Sequence, residues 1–569
     1  HQLRSDGQEP LQAFAAGPHN DEPELPGGDW DSPELYVDDV KGGALDADQV
    51  KAGRAEEMAW IEKRRVFTKV PIEVARAEQG RLYDMKWIDT KKGDAVRSRL
   101  VVREIKARKV GDERLDAATV FAAMPPVEGV KALISHLQTE QVNSRGEELE
   151  MMVIDISRAH FYGLARRRVF TTLPQGYEEE GMCALLLRTM YGTEDAASVW
   201  QDTWTAHLQE AGIRIGRAST AFFMKADLRG LCHGDDFVVV ASRRDLEDFE
   251  RHLQKRFDCR RTGHIGFAED CGHEAEVLKR IVRVDREAKV IEIEADRRHA
   301  EALIELFGMK KAKAAVTPRV KVDEKELGRI SATPLLEKEA ATTYRSATMR
   351  IAYLAVDRPD VSEVVKTLAQ AMSQPREGHL TMLKRVVRYL VGSKRKVIKY
   401  RRQRDADAHL EVYVDSDWAG DVGSRRSTTG MVVCRGSHLL RHSSTLQASV
   451  GLSSAEAEYY AIVRGACFGL GMQAYFQDWN LPLNLRVHSD SSAARAFAKR
   501  RGLGKQRHVM TRFLWLQERV HLRHLSVVCI QGKENPADLL TKALSRPEIE
   551  AHCRRLEVET AAEHGTARG

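Results

Sequence analysis

Four carboxylates near the end of the chain stand in sequence contexts suited to metal chemistry. They are Asp415 in LEVYVDSDWAG, Glu458 in LSSAEAEYYAI, Asp490 in LRVHSDSSAARAF and Asp538 in GKENPADLLTK. A carboxylate cluster can hold two Mg²⁺ ions about 3.5–4 Å apart, which clamp the attacking and leaving oxygens of a phosphodiester. Hard oxygen ligands, with no Cys/His pairs nearby, favour Mg²⁺ over Zn²⁺. These residues therefore predict two-metal cleavage of a nucleic acid backbone.

Two strands and a helix are predicted to carry these acids. Apolar residues alternate with polar ones before Asp415 and before Asp490, which indicates a strand leading to each. The third context predicts an amphipathic helix that begins near Ser453–Ser454, which are good N-cap residues. Two of the four assignments stay open, because Asp417 could replace Asp415 as a metal ligand and Glu456 could replace Glu458.

A second set of acids lies upstream. Asp155 ends an apolar strand (EMMVIDIS), and Asp235–Asp236 occur 80 residues later in LCHGDDFVVVAS. The Gly-Asp-Asp turn between Leu231 and the apolar run 237–241 predicts a hairpin. A strand-end Asp facing such a pair can hold two Mg²⁺ around a nucleoside triphosphate. One metal then lowers the pKa of a primer 3′-hydroxyl, and the other neutralises the leaving pyrophosphate.

The charge distribution suits a polyanionic partner. The chain has 569 residues, too many for one core, and a net charge of +6. Residues 1–60 hold 4 Lys and Arg against 14 Asp and Glu, so the remainder carries +16. Eight scattered cysteines fit a reducing compartment, and no apolar run approaches the ~20 residues of a membrane span. Because the chain opens at His1, we expect a fragment or a processed piece.

Sequence patterning divides the chain into five segments. Residues 1–45 are rich in Gly, Pro, Asp and Glu and predict a disordered acidic linker. Residues 46–275 alternate β-branched runs with helices in an α+β manner, and residues 276–408 end in a helix and a basic run. The nuclease-like acids fall in residues 409–545, and residues 546–569 predict a helical or frayed tail.

The motifs together resemble the Pol polyprotein of copia-type LTR retrotransposons. YVDSDWAGD…RRSTTG…LSSAEAEYYA…HSDSSAA…RHV…NPADLLTK is similar to their RNase H domain. RSRLVVRE, VFAAMPP, VIDISRAHFYG, LPQGY, LLLRTMYGTEDAASVW and HGDD follow the order of their reverse transcriptase. YRSATMRIAYLAVDRPD and HLTMLKRVVRYLVGS resemble the linker between the two. The resemblance covers about residues 46–545.

The resemblance implies two enzymes in one chain. Reverse transcriptase fingers and palm would occupy residues 46–275, a thumb or connection residues 276–408, and an RNase H-like α/β domain residues 409–545. The expected partners are an RNA template, a DNA primer, an RNA–DNA hybrid, deoxynucleoside triphosphates and other polyprotein parts. The expected locations are a cytoplasmic virus-like particle and the nucleus. The implied catalytic and metal-binding residues are Asp155, Asp235, Asp236, Asp415, Glu458, Asp490 and Asp538, with two Mg²⁺ at each site.

The resemblance also suggests residues that contact the nucleotide and the template. These are Arg97, Arg99, Arg103, His160, Tyr191 and Gly192. The arginines could grip the triphosphate bidentately, or form a solvated strand face. The histidine is expected under the nucleotide sugar, and the Tyr-Gly pair under the template base. The basic run at residues 394–404 could track the hybrid or be merely solvated.

Several residues depart from the family pattern. His233 replaces the usual tyrosine, and His160 is smaller than the usual aromatic residue. Glu194, Asp195 and Ser198 replace basic or amide groups and are expected to add two negative charges beside the nucleic acid. Two alternatives therefore stay open: a degenerate copy that binds nucleic acid without catalysis, and a copy that keeps only the nuclease.

Two histidine-containing segments have no assigned role. His508 in KQRHVMTRF matches a histidine of the family, and a packed or capping role is the simpler interpretation. Cys259, His264, Cys271 and His273 lie close in sequence, but their spacing matches no zinc module.

Overall fold

The structure is a computed structural model. It describes residues 36–40, 42–78, 80–104, 116–321, 324–404, 409–504 and 508–561. Contacts divide the chain into two compact units. The small unit comprises residues 1–109 and 167–193, and the large unit comprises residues 110–166 and 194–569.

Fifteen helices are found among the described residues. They are α1 Ala47–Arg64, α2 Ile72–Ala77, α3 Ala117–Val120, α4 Glu128–Glu140, α5 Ala196–Glu210, α6 Arg243–Gln254, α7 Arg298–Leu306, α8 Glu324–Ala332, α9 Lys338–Ala355, α10 Pro359–Gln370, α11 Glu377–Gly392, α12 Ser454–Asp478, α13 Ser492–Lys499, α14 Trp515–His521 and α15 Arg546–Arg555. Short 3-10 turns lie at Ala159–Tyr162, Thr511–Leu514, Gly532–Glu534 and Pro536–Leu540. No helix of the described ranges is long and apolar enough to cross a membrane.

The strands of the described residues form six sheets. They are β1 Tyr36–Val37, β2 Ala44–Leu45, β3 Phe67–Pro71, β4 Leu82–Tyr83, β5 Met85–Lys92, β6 Ala95–Val102, β7 Leu149–Ile156, β8 Phe170–Thr171, β9 Met182–Leu186, β10 Arg214–Ile215, β11 Phe222–Lys225, β12 Leu228–His233, β13 Asp236–Ser242, β14 Cys259–Ile265, β15 Glu274–Val277, β16 Arg280–Asp285, β17 Val290–Glu294, β18 Lys396–Arg401, β19 Leu410–Asp417, β20 Thr428–Arg435, β21 His438–Leu446, β22 Leu485–Ser489, β23 Ser526–Cys529 and β24 Val558–Thr560. The mixed α and β content confirms the predicted fold class.

The small unit contains the β5–β6 hairpin and a four-stranded sheet of order β3-β9-β8-β4. Helix α1 packs on β6 and begins at Asp46, whose carboxylate accepts from the Gln49 backbone N–H. Residues 36–45 were predicted to be part of a disordered linker, but β1 pairs with β2 there. The rest of that segment, residues 1–35, lies outside the described residues.

A six-stranded sheet of order β10-β11-β12-β13-β7-β14 is the centre of the large unit. We call it the palm sheet. Successive side chains of a strand point to opposite faces of a sheet. In the palm sheet, apolar side chains are buried on both faces. On β13, Val238 and Val240 belong to one apolar core, and Phe237 and Val239 to another, which packs against α5 and α6.

The second sheet of the large unit has the order β15-β16-β17-β18-β24. Strand β24 comes from the predicted tail, and Ile398 on β18 pairs with Val558 on β24. The prediction of a helical or frayed tail is confirmed by α15, Arg546–Arg555, and wrong for β24, because a three-residue strand that pairs with a distant strand has no local signature. Helices α7 and α9–α11 form a separate core beside this sheet.

The third sheet of the large unit, of order β21-β20-β19-β22-β23, contains the predicted nuclease acids. Strands β19 and β22 are parallel, so the ends that carry Asp415 and Asp490 lie at one edge. Helix α12 packs on β19 and β20, and Ser453 caps it as predicted. Gly465 and Gly469 allow this close approach: a Cβ at Gly465 would lie 2.6 Å from Val414, and one at Gly469 would lie 2.6 Å from Leu485.

The C-terminal end of α12 docks on the palm sheet. The Asp478 carboxylate accepts backbone N–H groups of residues 217–219 at 2.7–2.9 Å. The buried Trp479 ring stacks on Phe222 with centroids 4.7 Å apart, and its Nε1 donates to Gly230 O at 3.1 Å. One continuous apolar core therefore includes residues of both the palm sheet and the third sheet.

Two histidines on β21 are buried against other parts of the large unit. His438 contacts Ser135 Oγ on α4 at 3.0 Å and Arg401 O at 2.6 Å, and His442 Nε2 contacts Ala355 O at 2.7 Å. Burial disfavours the charged imidazolium and lowers the pKa of both groups from 6.5 to about 4.

We expect these histidines to make the protein acid-labile. Between pH 6.5 and 4 the unfolded chain binds protons that the folded protein does not, so stability falls as pH decreases through that window. Each group contributes roughly 2–3 kcal/mol of this loss, from about 1.4 kcal/mol per pKa unit. Urea unfolding at pH 7.5 and pH 5 measures the loss. His442→Gln should reduce the difference, whereas His521→Gln, at an exposed position, should leave it unchanged. Equal pH dependence in all three proteins would contradict this expectation.

Candidate active sites

The palm acids lie on adjacent strands. Asp155 on β7 and Asp236 on β13 are directly paired across the antiparallel ladder, so both side chains project from the same face. Asp235 is next to this pair in the hairpin turn, and its carbonyl accepts the Ile156 N–H at 3.0 Å. All three acids are half-buried. The predicted hairpin and the predicted strand before Asp155 are both confirmed.

The turn of this hairpin is held by side chains behind it. Its two central residues are Gly234, with φ of +67°, and Asp235. Trp200 Nε1 donates to Gly234 O at 2.7 Å, and the Cys232 thiol lies 3.4 Å from the same oxygen. Glycine at this position allows the left-handed backbone that a two-residue hairpin requires. The acid pair is thus displayed on a fixed turn.

Electrostatics at this site favour a bound cation. Burial, together with the carboxylates of Asp235 and Asp155, raises the pKa of Asp236 from 3.8 to about 6. Like charges on neighbouring strands destabilise each other unless a cation lies between them. The residues present therefore fit a divalent metal.

The predicted nuclease acids lie closer together than the palm acids. Asp415, Glu458 and Asp490 each offer an oxygen, and the three oxygens lie within 4.8 Å of one another. Among the described residues, the three palm acids do not bring three oxygens within 4.8 Å of one another. Glu458 Oε1 accepts from the backbone N–H and the hydroxyl of Ser416, both at 3.1 Å.

The second carboxylate oxygen of Glu458 is suited to bind a cation. Oε2 is buried and has no hydrogen-bond partner. Burial, followed by the negative charges of Asp415 and Asp490, raises the pKa of Glu458 to about 8. A buried carboxylate oxygen beside two more carboxylates is unfavourable unless a cation binds. The donor set is all oxygen, which fits Mg²⁺.

Asp538 joins this cluster through Lys542, one turn further along the chain. Lys542 Nζ lies 2.7 Å from Asp538 Oδ1 and 3.3 Å from Asp415 Oδ2. Burial and the Asp415 carboxylate raise the pKa of Asp538 to about 6. Thr541 also donates its hydroxyl to Asp415. Sequence reasoning missed both Thr541 and Lys542, although the spacing of four residues between Asp538 and Lys542 is a usable signal.

The alternative acids of the nuclease site are occupied elsewhere. The Asp417 carboxylate accepts the backbone N–H of Thr428. Glu456 accepts from Leu452 N at 3.0 Å and lies 2.8 Å from His508 Nε2. The structure thus favours Asp415 and Glu458 over these neighbours, and it places His508 in a structural contact. The catalytic roles themselves stay predictions.

Arg97 and Arg99 lie on β6 in the small unit, and Arg103 directly follows this strand. Arg97 and Arg103 are exposed, and Arg99 is half-buried with its guanidinium 5.0 Å from the Tyr191 ring centroid. The neighbouring Gly192 has a φ of +86°, and a Cβ there would lie 1.9 Å from the Val102 carbonyl oxygen. Close packing on β6 therefore requires glycine at position 192.

We expect Gly192→Ala to destabilise the small unit by more than about 2 kcal/mol. Left-handed backbone alone costs an alanine roughly 1–2 kcal/mol, and the clash with Val102 adds to this. Gly93→Ala is the matched control, because Gly93 has a φ of +64° but open space around its Cβ position. Thermal unfolding of both variants measures the difference. Equal losses would show that the contact with Val102 is unimportant.

Two departures from the family pattern have structural explanations. His160 lies in the turn Ala159–Tyr162, and its Nδ1 lies 3.3 Å from Ala196 O. Asp195 was expected to repel nucleic acid, but it is only 3% exposed and occupies the N-cap position of α5. A negative charge at a helix N-terminus is favourable. The position of Asp195 at the N-terminus of α5 thus gives its charge a structural role, whereas Glu194 is half-buried; the expected repulsion of nucleic acid stays a prediction.

The basic run at residues 394–404 contains β18, an interior strand of the second sheet, and its contact with the hybrid stays a prediction. Tyr400 is fully buried, and its hydroxyl donates to Leu439 O at 2.7 Å. Ion pairs within the large unit use its charges: Arg395 with Glu294, Lys396 with Asp360, Lys399 with Glu559 and Arg401 with Glu557. The run therefore stabilises the second sheet.

The Cys/His segment does not assemble as a set of four ligands. His264 and Cys271 gather with Glu150 within 4.8 Å. However, the Arg243 guanidinium lies 2.8 Å from Glu150 Oε1 and 3.3 Å from Cys271 Sγ. A positive group therefore already contacts this cluster. All eight cysteines are free thiols.

Comparisons with known proteins identify the family. Residues 70–321 match the reverse transcriptase (RNA-dependent DNA polymerase) family. The chain is 24% identical over 531 residues to the retrovirus-related Pol polyprotein from transposon TNT 1-94 of Nicotiana tabacum, covering 89% of this chain and 38% of that protein. It is 26% identical over 416 residues to the Pol polyprotein from transposon RE1 of Arabidopsis thaliana, covering 71% of this chain and 27% of that protein. The chain thus spans less than two fifths of the length of these relatives.

One solved structure that matches the chain is the foamy viral protease-reverse transcriptase dRH in complex with double-stranded DNA. The TM-score is 0.48 and the identity 10%, over 89% of this chain and 74% of that one. Residues 70–321 therefore form a reverse transcriptase domain, and the two relatives that match most of the chain are Pol polyproteins of plant copia-type transposons.

Proposed function

We propose that this chain copies RNA into DNA and also cleaves the RNA strand of the resulting RNA–DNA hybrid. The observation that carries the first part is the pairing of Asp155 with Asp236 inside the segment that matches the reverse transcriptase family. The second part is supported by Asp415, Glu458 and Asp490, which converge on the third sheet. Each site would hold two Mg²⁺.

At the polymerase site, Asp155, Asp235 and Asp236 would hold the metals. When bound, the metals activate the primer 3′-hydroxyl and neutralise the pyrophosphate that leaves. The fixed turn at Gly234 keeps the acid pair in register with β7. Arg97, Arg99 and Arg103 are assigned to triphosphate binding, and Tyr191–Gly192 to the template base, on the family resemblance alone.

At the nuclease site, the buried Glu458 and the strand-borne Asp415 and Asp490 would hold the metals. When bound, the metals orient a water for attack on the phosphodiester and stabilise the leaving oxygen. Asp538 supports the same cluster, and Lys542 partly neutralises it. The proposed substrates and partners are the RNA template, the DNA primer, the RNA–DNA hybrid and deoxynucleoside triphosphates. Other parts of the polyprotein are further proposed partners. The proposed locations are a cytoplasmic virus-like particle and the nucleus.

A specific observation favours one alternative, a copy without polymerase activity. His160 and Glu194 depart from the family pattern within the segment that matches the reverse transcriptase family, whereas all four acids expected at the nuclease site are present. An imidazole under the nucleotide sugar is smaller than a phenyl ring and should discriminate less against ribonucleotides.

The test supplies purified chain with an RNA template, a DNA primer, deoxynucleotides and Mg²⁺. Extension and RNA cleavage are measured in the same reaction. We expect both products. Cleavage without extension would support the nuclease-only copy, and binding with neither product would support the degenerate copy.

A further inference from the structure

Trp418, just after the strand of Asp415, is an exposed aromatic residue held in one orientation. Its side chain is 55% exposed, yet Nε1 donates to Gly451 O at 3.0 Å. The next residue, Ala419, has a φ of +52°, and its N–H donates to Ser427 Oγ at 3.0 Å. The backbone and the indole are therefore both fixed, while one part of the ring faces solvent.

Two further apolar side chains flank the oxygen that holds Trp418. Val450 is 45% exposed and Leu452 is 67% exposed. Their loop is anchored from a second side, because Leu452 N donates to the buried carboxylate of Glu456 at 3.0 Å. We call Trp418, Val450 and Leu452 the Trp418 patch. Exposed apolar side chains on a rigid loop are unfavourable in water, and such patches mark binding surfaces.

The patch borders the nuclease carboxylates. Trp418 is three residues beyond Asp415, and Leu452 is two residues before the first residue of α12, which carries Glu458. The hydrogen bond from Trp418 to Gly451 ties these two segments together. The patch therefore lies on the two segments that lead to Asp415 and Glu458.

The loop after Trp418 is charged to attract phosphate. It contains Arg425 and Arg426, both with exposed side chains, against one acid, Asp421. Asp421 accepts the Ser424 N–H at 3.1 Å and the Ser424 hydroxyl. An apolar platform beside cationic side chains is the combination that binds nucleic acid, with stacking on the ring and attraction of the backbone.

We propose that the Trp418 patch docks the RNA–DNA hybrid beside the proposed nuclease carboxylates, with the Trp418 ring packed against the apolar face of a sugar. This inference rests on the proposed nuclease function and names a substrate-binding surface for it. It requires no sequence preference, because every nucleotide offers an apolar face to an aromatic ring.

The experiment measures binding of a fluorescent RNA–DNA hybrid to the full chain in chelator, by anisotropy at fixed salt. Trp418→Ala should weaken binding about tenfold, within the range of one lost aromatic stacking contact. Trp418→Phe should keep most of the affinity, and Leu452→Ala should weaken binding less than Trp418→Ala. Leu522→Ala is the matched control, because Leu522 is 52% exposed at the end of α14. Thermal unfolding of each variant reports whether the fold is retained.

Unchanged affinity in both Trp418→Ala and Leu452→Ala would overturn the proposal. The proposal would also be overturned if Trp418→Ala lost binding to single-stranded RNA as much as binding to the hybrid, because the surface would then not be specific for the hybrid. The nuclease function is tested separately by cleavage in Mg²⁺. Failure of cleavage in the unaltered chain, with binding still lost in Trp418→Ala, would remove the nuclease function and leave the docking surface.

Discussion

Replacing Asp236 with asparagine is expected to reduce primer extension at least about 10³-fold, because a metal ligand contributes several kcal/mol to the transition state. Asparagine keeps the shape of the side chain but lacks the negative charge. The fold should be unaffected: Asp236 is half-buried opposite Asp155, and a neutral side chain avoids both the cost of burying a charge and the repulsion by Asp235 and Asp155, which raise the pKa of Asp236 to about 6.

Single-nucleotide incorporation at saturating deoxynucleotide measures this effect. Asp248→Asn is the matched control, because Asp248 is an exposed acid on α6 of the same large unit. RNA cleavage by Asp236→Asn should continue, since the nuclease acids are on another sheet. Extension at the unaltered rate in Asp236→Asn would remove the two-metal assignment at the palm.

The second large effect is expected from Glu458→Gln, which should abolish RNA cleavage and yet stabilise the metal-free protein. Glutamine can still accept the two hydrogen bonds from Ser416 through its carbonyl oxygen. Glutamine is neutral at every pH, so it avoids the cost of burying a charge or taking up a proton beside Asp415 and Asp490, a cost that raises the pKa of Glu458 to about 8. We expect cleavage to fall at least about 10²-fold, because several kcal/mol of metal-borne stabilisation is lost. The thermal midpoint in chelator should rise by about 1–3 °C.

Thermal unfolding with and without Mg²⁺ separates these two effects. Mg²⁺ should stabilise the unaltered chain by mass action and stabilise Glu458→Gln less. Glu518→Gln, whose side chain is 61% exposed on α14, should behave like the unaltered chain. An identical Mg²⁺ response in Glu458→Gln would show that Glu458 binds no metal.

The parts of the fold that could be predicted have local causes. The hairpin at Gly234 follows from a glycine flanked by apolar runs, and the start of α12 follows from the capping hydroxyl of Ser453. The strand before Asp415 follows from a two-residue alternation of burial. Because each acid lies at or near the end of such an element, the sequence also predicted which acids meet.

The parts that could not be predicted depend on partners far away in the chain. Lys399 is part of a basic run, and only the folded sheet pairs it with Glu559, 160 residues later. Nothing local distinguishes Asp478 from a solvated acid, although its carboxylate binds three backbone N–H groups of residues 217–219. Charge and polarity in a sequence do not reveal whether a group is exposed or paired.

The docking of Trp479 on Phe222 limits which mutations can remove one proposed activity of this chain and keep the other. Because the palm sheet and the third sheet share one apolar core, a deletion that removes either one exposes the other's buried side chains. A truncated copy would lose both sheets together. An inherited copy with a single remaining activity must therefore arise by point substitutions, such as those at His160 and Glu194, which leave the shared core intact.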